Sequence, residues 1–376
     1  MRKLSFLTLL ILFSASVSAQ KKLIEKLLSN EKDTTRSASF IPLPVFGYSQ
    51  EIGFDFGLGA LYSFYLDRKD TLNRSSNFSG TVSYSTKKTY NFSLKGDAWT
   101  KGNLYHVIGD VRLKKIPFNF YGVGNNTRQK DEDRLVQQQI KFAFDIEKTF
   151  LKSAYTGLSL GFENYQFSDK ISGGIYSTSS FLYKKEGGNA VFLGISQSYD
   201  TRNSNNYPTK GMFVRATYQY VPNIFSGTNF TGSIIKLNLR NFWPIAPKLV
   251  FGVQALYNTI QGSKIPFYLL HQLGNDGTMR GYYSGRYRDE NLLVSQGELR
   301  YRFTNRFGVV AFAGAGKVFS NGHFSLNELK PNYGLGGRYF FDTAKGLSIR
   351  LDYGVGEKKT NEDRQSGFYI SLAEAF

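Results

Sequence analysis

The sequence predicts an all-β chain: a 16-stranded antiparallel transmembrane β-barrel with one loop folded into its lumen. Three observations predict it. Apolar and polar residues alternate along segment after segment, the period of two that puts one strand face on lipid and the other on a wet lumen. Aromatic residues number 60 (33 Phe, 25 Tyr, 2 Trp) beside 38 Gly, yet nothing after Ala19 offers the ~20 consecutive apolar residues of a membrane helix. From the fifth strand onward the connections alternate long and short, as outer loops and periplasmic turns do. A secreted β-sandwich or propeller is the alternative architecture.

The chain opens as a secretory signal over 1–19: Arg2 and Lys3 form the charged start, Leu4 to Phe13 the apolar centre, and Ser14 to Ala19 the small-residue cleavage region. Residues 20–38 form a leader. Leu23, Ile24, Leu27 and Leu28 recur at helical spacing, so a short amphipathic helix within 21–29 is expected. It would plug or cap the barrel, lie on the membrane, or remain a loose leader. The barrel occupies 39–376.

Its strands follow in order. Residues 40–48 are extended and carry Pro42 and Pro44. Residues 52–66 alternate Ile52, Phe54, Phe56 and Leu58 with Gly53, Asp55, Gly57 and Gly59. Strands at 76–85, 90–100 and 103–116 have short connections. A polar loop spans 117–134. Strands 135–149 and 153–167 meet at a tight link, and a second long loop spans 168–188. Strands 190–202, 211–221, 230–243 and 249–260 come next, then the loop 274–291. The last five strands are 292–303, 307–319, 332–341, 347–356 and 367–376. In 347–355, Leu347, Ile349, Leu351, Tyr353 and Val355 face lipid, opposite Ser348, Arg350, Asp352 and Gly354. In the final strand Phe368, Ile370, Leu372 and Phe376 share the lipid face, and Glu374 is the one charge out of place. Counting back from that strand sets 203–210 on the periplasmic side and 274–291 on the outer side.

The loop 274–291 is rich in Gly and Arg, and the strand after it is unusually charged on one face. Val294, Gln296, Glu298, Arg300 and Arg302 share that face. Burying it in a soluble core would be costly, because unpaired charge is; a wet lumen accepts it. Arg300, Arg350 and Asp352 are therefore lumen charges.

The composition excludes much chemistry. With no cysteine there is no disulfide, zinc-thiolate site or thiol nucleophile. The three histidines, His106, His271 and His323, are far apart, so no metal site is expected, and no cofactor. There is no Gly-x-Ser-x-Gly elbow, no His-Glu-x-x-His and no Walker loop, so the chain reads as no enzyme. The net charge of +18 fits a basic lumen or contact with anionic headgroups of outer-membrane lipid. A secreted chain seldom meets nucleic acid, and none is expected as a partner.

Two local signals remain. The turn Tyr199 to Gly211 holds Asp200 and Arg202 at a strand end, Pro208 in the turn, and Gly211 where an unusual backbone angle is needed. Phe376 is an aromatic end residue of the kind the barrel assembly machinery reads through a C-terminal strand.

Asp200-x-Arg202 with Pro208 and Gly211, Met279-Arg-Gly-Tyr282, Glu298-Leu-Arg300, Arg350-Leu-Asp-Tyr-Gly354 and Phe376, in this order, resemble the barrel of the BamA/TamA family, the bacterial surface antigen family. That family includes outer-membrane protein insertases and two-partner-secretion transporters, and the resemblance covers 39–376. It implies that the 274–291 loop folds into the lumen and that Arg280, with Gly281 and Tyr282, latches onto acidic side chains of the following strands, Glu298 first. Family members usually carry an Asp on the next strand. Gly314 stands about there, so the latch rests on Glu298 alone or borrows Asp352. Members that insert or secrete proteins carry periplasmic POTRA domains; none is expected in the 20–38 segment.

Pro42 and Pro44 lack N–H donors exactly where strand one must close on strand sixteen. That is either a weak seam suited to a lateral gate or a guard against wrong pairing. The leading expectation is a bacterial outer-membrane barrel that assists insertion or translocation of protein or lipid, with client or partner outer-membrane proteins. A passive channel, or a structural partner barrel in an outer-membrane complex, is the alternative.

Overall fold

The computed structural model of the chain describes residues 29–30, 35–49, 53–225 and 230–376. The signal expected over 1–19, and the helix expected within 21–29 apart from its last residue, lie outside the described residues. Eighteen strands follow: β1 Ser39–Ser49, β2 Gly53–Phe64, β3 Ser76–Ser85, β4 Tyr90–Trp99, β5 Tyr105–Phe120, β6 Asp133–Leu151, β7 Ala154–Asp169, β8 Gly187–Asp200, β9 Gly211–Val221, β10 Gly232–Ala246, β11 Leu249–Gly262, β12 His271–Leu273, β13 Tyr287–Asp289, β14 Asn291–Tyr301, β15 Phe307–Phe319, β16 Lys330–Asp342, β17 Leu347–Val355 and β18 Ser366–Leu372. All but β12 and β13 form one 16-stranded sheet in chain order, each strand antiparallel to the next. β12 and β13 make a separate ribbon inside the β11–β14 loop.

The alternation explains the wall. On β17, Leu351 and Tyr353 are exposed on the outside, whereas Ser348, Arg350 and Asp352 are buried within. On β14, Leu299 and Tyr301 face out and Glu298 and Arg300 face in. A strand spanning hydrocarbon must satisfy every backbone group, and an ordered antiparallel ladder does so without a membrane helix.

The wall is uneven in height. β6 runs for 19 residues, and β5 and β7 for 16 each. β5 and β6 extend into the stretch expected as loop because Phe120 and Leu135 are fully buried in an outer apolar cluster. β18 has only 7 residues. A tilted strand needs ~9–11 residues to span, so the last strand is short by itself.

The reason is a turn. The expectation that Phe376 ends β18 on the lipid face is wrong. Ala373 takes a left-handed φ of 67°, which breaks the alternation, and its N–H reaches Ser348 O at 2.8 Å. Glu374 then points inward, where Arg338 Nε meets it at 2.8 Å. The misplaced charge of the sequence is thus a lumen charge, and the ion pair turns the chain. Phe376 ends buried against Phe242 and Val250, while Phe368 and Ile370 stay exposed.

No ladder joins β1 to β18 among the described residues. Side chains bridge the seam at the end where β1 begins and the β16–β17 turn lies. Ile41 packs with Leu61, Phe341, Leu347 and Leu372. Lys345 Nζ lies 2.5 Å from Ser37 O, 2.9 Å from Ser39 Oγ and 2.6 Å from Asp342. Ser29 and Asn30 dock at the β14–β15 turn through Arg306 and Asn305.

Candidate functional site

The lumen is filled from the outside inward. Phe267, Tyr268, Leu269 and Leu270 begin the β11–β14 loop and pack with Phe120, Tyr176, Leu182 and Phe192 in an outer dome. The loop that fills the lumen thus starts near residue 263, earlier than the 274 expected. Beyond β12 the chain dips to its deepest point at Met279, Arg280 and Tyr282, all buried.

Arg280 is fully buried and forked between two carboxylates. Its Nη1 lies 2.5 Å from Asp352 on β17, and its Nη2 pairs with Glu298 on β14. Its guanidinium stacks 3.6 Å above the ring of Phe312 on β15. Phe312 thus meets Arg280 from the strand where the sequence resemblance leads one to expect an Asp, and Gly314 beside it adds no side chain. Two carboxylates and an aromatic face fix the guanidinium plane through charge-assisted hydrogen bonds and a stacked contact.

The surrounding charges balance. Arg300 Nε lies 2.7 Å from Glu298. Arg338 Nη1 lies 2.6 Å from Asp352, and Arg350 Nη1 lies 3.0 Å from the same group. Arg350 also reaches Asp276 at 3.1 Å. Four guanidiniums (280, 300, 338, 350) therefore face four carboxylates (276, 298, 352, 374). Pairing of this kind is what lets so many charges be buried at once.

The loop backbone is pressed onto β17. Gly281 has φ 107°, and a Cβ there would lie 2.7 Å from Val355 C. No other residue fits such a position without moving the strand. The Gly281 N–H donates to Tyr369 Oη at 2.9 Å. Tyr282 donates to the Pro331 carbonyl at 2.6 Å and accepts from the Glu357 N–H at 2.9 Å. Gln296 and Asn332 hold the flanks, through Gly277 O at 2.8 Å and Arg280 O at 3.0 Å. Arg300 further donates to the Phe376 carbonyl at 2.8 Å and lies over that ring. One arginine thus touches both the carboxylate that holds the loop and the segment that leaves the seam strand.

The Omp85 superfamily domain matches residues 46–376. The chain belongs to the Omp85 superfamily. Among solved structures, the fold matches BamA from Haemophilus ducreyi lacking POTRA domains 1–3 at 12% identity and TM-score 0.52, over 90% of this chain and 70% of that one. It matches CdiB from Acinetobacter baumannii at 11% identity and TM-score 0.53, over 90% and 60%. It matches CdiB from Escherichia coli at 10% and 0.54, over 90% and 62%. This Omp85 chain thus spans 60% to 70% of the length of those proteins. Comparison with curated proteins returns no match.

The second motif of this Omp85 barrel lies at the opposite mouth. Arg202 forks onto Asp200 at 2.9 and 2.8 Å, and Arg74 from the β2–β3 connection meets the same carboxylate at 3.0 Å. Gly211, at φ 99°, returns the chain to β9, and Pro208 is buried beneath it. The connection 201–210 is no simple turn. Asn205 and Asn206 reach Ser75 at 2.8 and 3.0 Å, and Asn77 reaches Asn206 at 2.8 Å. Asn206 also donates to Lys345 O at 3.1 Å, and Tyr207 packs edge-on against Phe340. Starting half-way round the ring, this strap crosses the mouth and touches both flanks of the seam.

Pro42 and Pro44 stand opposite Ala60 and Leu58 of β2. A proline keeps such a pairing only where its missing donor points away from the partner strand. Both gaps therefore face β18.

Proposed function

We propose that this Omp85 barrel sits in the bacterial outer membrane and works at its seam, assisting insertion or translocation of protein or lipid. The observation that carries the reading is the β1–β18 edge. Two prolines remove donors from one side, the other side is a seven-residue strand, and no ladder joins them among the described residues. An unpaired edge inside a bilayer is costly and is a template for another strand. The surrounding membrane is disturbed there, which lowers the barrier for a partner to enter.

The Arg280–Glu298–Asp352 group then acts as a latch that keeps the lumen filled while the seam moves, and the 201–210 strap holds the periplasmic end. Its partners are outer-membrane lipid, client or companion outer-membrane proteins, and the assembly machinery that inserts the barrel itself. A solute pore finds less support, because the dome, the latch loop and the strap each cross the lumen.

The test is a seam lock. An oxidised cysteine pair joining β1 to β18 in the reconstituted full chain removes its acceleration of a client barrel folding into liposomes, and reduction restores it. Undiminished acceleration with the seam locked sinks the proposal.

A further inference from the structure

The mouth crossed by the 201–210 strap is basic. Seven connections meet there: β2–β3, β4–β5, β6–β7, β8–β9, β10–β11, β14–β15 and β16–β17. Every one carries Lys or Arg, and the only carboxylates within them are Asp67 and Asp70, both on β2–β3. Asp200 and Asp342, at strand ends beside them, are already paired with Arg202 and Lys345. Connections at the other mouth mix the signs, as Arg128 and Lys130 do with Asp131 and Glu132. Charge of one sign around an opening draws in a partner of the other sign.

A cavity of about 840 Å³ lies at this mouth, bounded by the strap and the β10–β11, β14–β15 and β16–β17 turns. That is the size of a ligand site, ~300–1,000 Å³. Pro244, Ala246, Pro247 and Val250 give it apolar surface, and Asn203, Ser204 and Thr209 give it polar groups. No Asp or Glu lines it, whereas Lys248, Arg302 and Lys345 do. Lys345 is answered by Asp342 at 2.6 Å. The other two are met by neutral carbonyls. Lys248 is exposed and donates to Phe303 O at 3.0 Å. Arg302 donates to Asn305 O at 3.2 Å and Thr343 O at 3.3 Å, and stacks 3.9 Å over Phe340. Glu374 and Asp342 act on Arg302 through space, but they belong to Arg338 and Lys345, and Arg306 adds a further positive charge. Carbonyls fill N–H groups without cancelling charge, so the cavity stays positive.

The same lip already grips a piece of chain by its backbone. Arg306 Nε meets Ser29 O at 2.6 Å, Asn305 Nδ2 meets Asn30 O at 2.6 Å, and Asn30 lines the cavity. The residues before them, Lys21-Lys-Leu-Ile-Glu-Lys26, are themselves basic and match a positive cavity poorly. A lipid headgroup has the right charge. Yet Tyr207, Val250, Thr343 and Lys345 are buried parts of the lining, and a headgroup that reached them would draw its acyl chains out of hydrocarbon, which is costly. We infer that this cavity docks an acidic segment of a partner polypeptide, its carboxylates at Lys248 and Arg302 and its apolar side chains against Pro244 and Val250. In the orientation read from the sequence, the segment arrives from the periplasm. The inference is independent of the seam reading, because no residue of β1 or β18 lines the cavity.

The test uses the full chain in phosphatidylcholine nanodiscs and the fluorescence anisotropy of a labelled short peptide that alternates Glu with Val or Ala. We expect saturable binding that weakens as salt rises, and none by the counterpart peptide with Lys in place of Glu. Lys248→Glu weakens binding roughly five-fold, the upper weight of one exposed ion pair. Arg302→Gln gives a similar loss, with folding of both variants checked by heat-dependent gel mobility. Lys152→Glu, on the β6–β7 turn and outside the cavity lining, changes affinity by less than about two-fold because salt screens a distant charge. Absence of binding to a folded barrel overturns the inference, as does equal binding of the basic peptide. An equal loss in Lys152→Glu overturns it too, since that marks a diffuse field and no site. Peptide binding that appears only when residues 21–28 are deleted makes the chain's own leader the occupant. Binding of dihexanoyl phosphatidylglycerol in place of the peptide, with the same loss in Lys248→Glu, assigns the cavity to lipid headgroups. Either result overturns the inference.

Discussion

Removing Arg280 tests the latch, and the network fixes how large the effect should be. In Arg280→Ala, Glu298 keeps Arg300 at 2.7 Å, and Asp352 keeps Arg338 at 2.6 Å and Arg350 at 3.0 Å. No carboxylate is left bare, so the loss falls at the low end of a broken buried pair, about 3 kcal/mol. Losing the stacked contact on Phe312 adds up to about 2 kcal/mol for a desolvated cation. Glu298→Ala leaves Arg280 with Asp352 but Arg300 with only the Phe376 carbonyl and the rings near it. Its cost is about 3–5 kcal/mol. The double substitution restores charge balance, so its cost falls short of the sum by roughly 1–3 kcal/mol. Denaturant unfolding in lipid vesicles measures all three. Trypsin, which can cut at Arg286 and Arg288 only if the loop leaves the lumen, gives an independent reading. An Arg280→Ala chain with an unchanged midpoint and a protected loop refutes the latch, and strictly additive costs refute the coupling.

Three further outcomes follow from the same structure. Asp289 lies in β13, outside the spanning strands, and burial raises its carboxyl to about 6 from 3.8. His271 across the ribbon is pushed by its own burial to about 4 and gives no charge to pair with. The folded form therefore holds the proton longer than the unfolded chain, so stability is highest below 3.8 and declines as pH rises to about 6. Asp289→Asn removes that slope in a comparison of unfolding midpoints, and a slope equal to the parent's contradicts the assignment. Gly211→Ala must hold φ 99° with a Cβ 2.3 Å from Thr201 O, so it lowers stability by more than ~1 kcal/mol; a neutral result in the same assay shows the strap to be slack. Phe376→Ala empties a buried site between Phe242 and Val250 and costs about 3 kcal/mol, and no change in midpoint means the inward turn contributes nothing.

The strands were legible because lipid outside and water inside impose a period of two on every one of them. β3, β9 and β15 fall on the residues that the alternation marks. The apolar run Phe267–Leu270 was not legible, since a loop that packs into a dome has no period. Glu298 could be read as lumenal, but it shares Arg280 with Asp352, which lies 72 residues from Arg280 in sequence, and only the curvature of the sheet brings the two carboxylates to one side chain. The strap was hidden for the same reason: Asn205 and Asn206 look like turn residues until Ser75 appears across the mouth. Phe376 was misread because alternation was carried past Ala373, whose left-handed φ leaves no mark in an alanine. Glu374 was the available warning. A charge on a lipid face means either the chain end or a turn, and here it means a turn.

In the seam reading, β1 and β18 form the weak line of an otherwise continuous wall. Amide hydrogen exchange on the barrel in lipid vesicles tests it most directly. β1 and β18 are expected to exchange far faster than β5, β6 and β7, with fast exchange stopping at β2 on one side and β17 on the other. Protection of β1 and β18 equal to that of β5–β7 would contradict it.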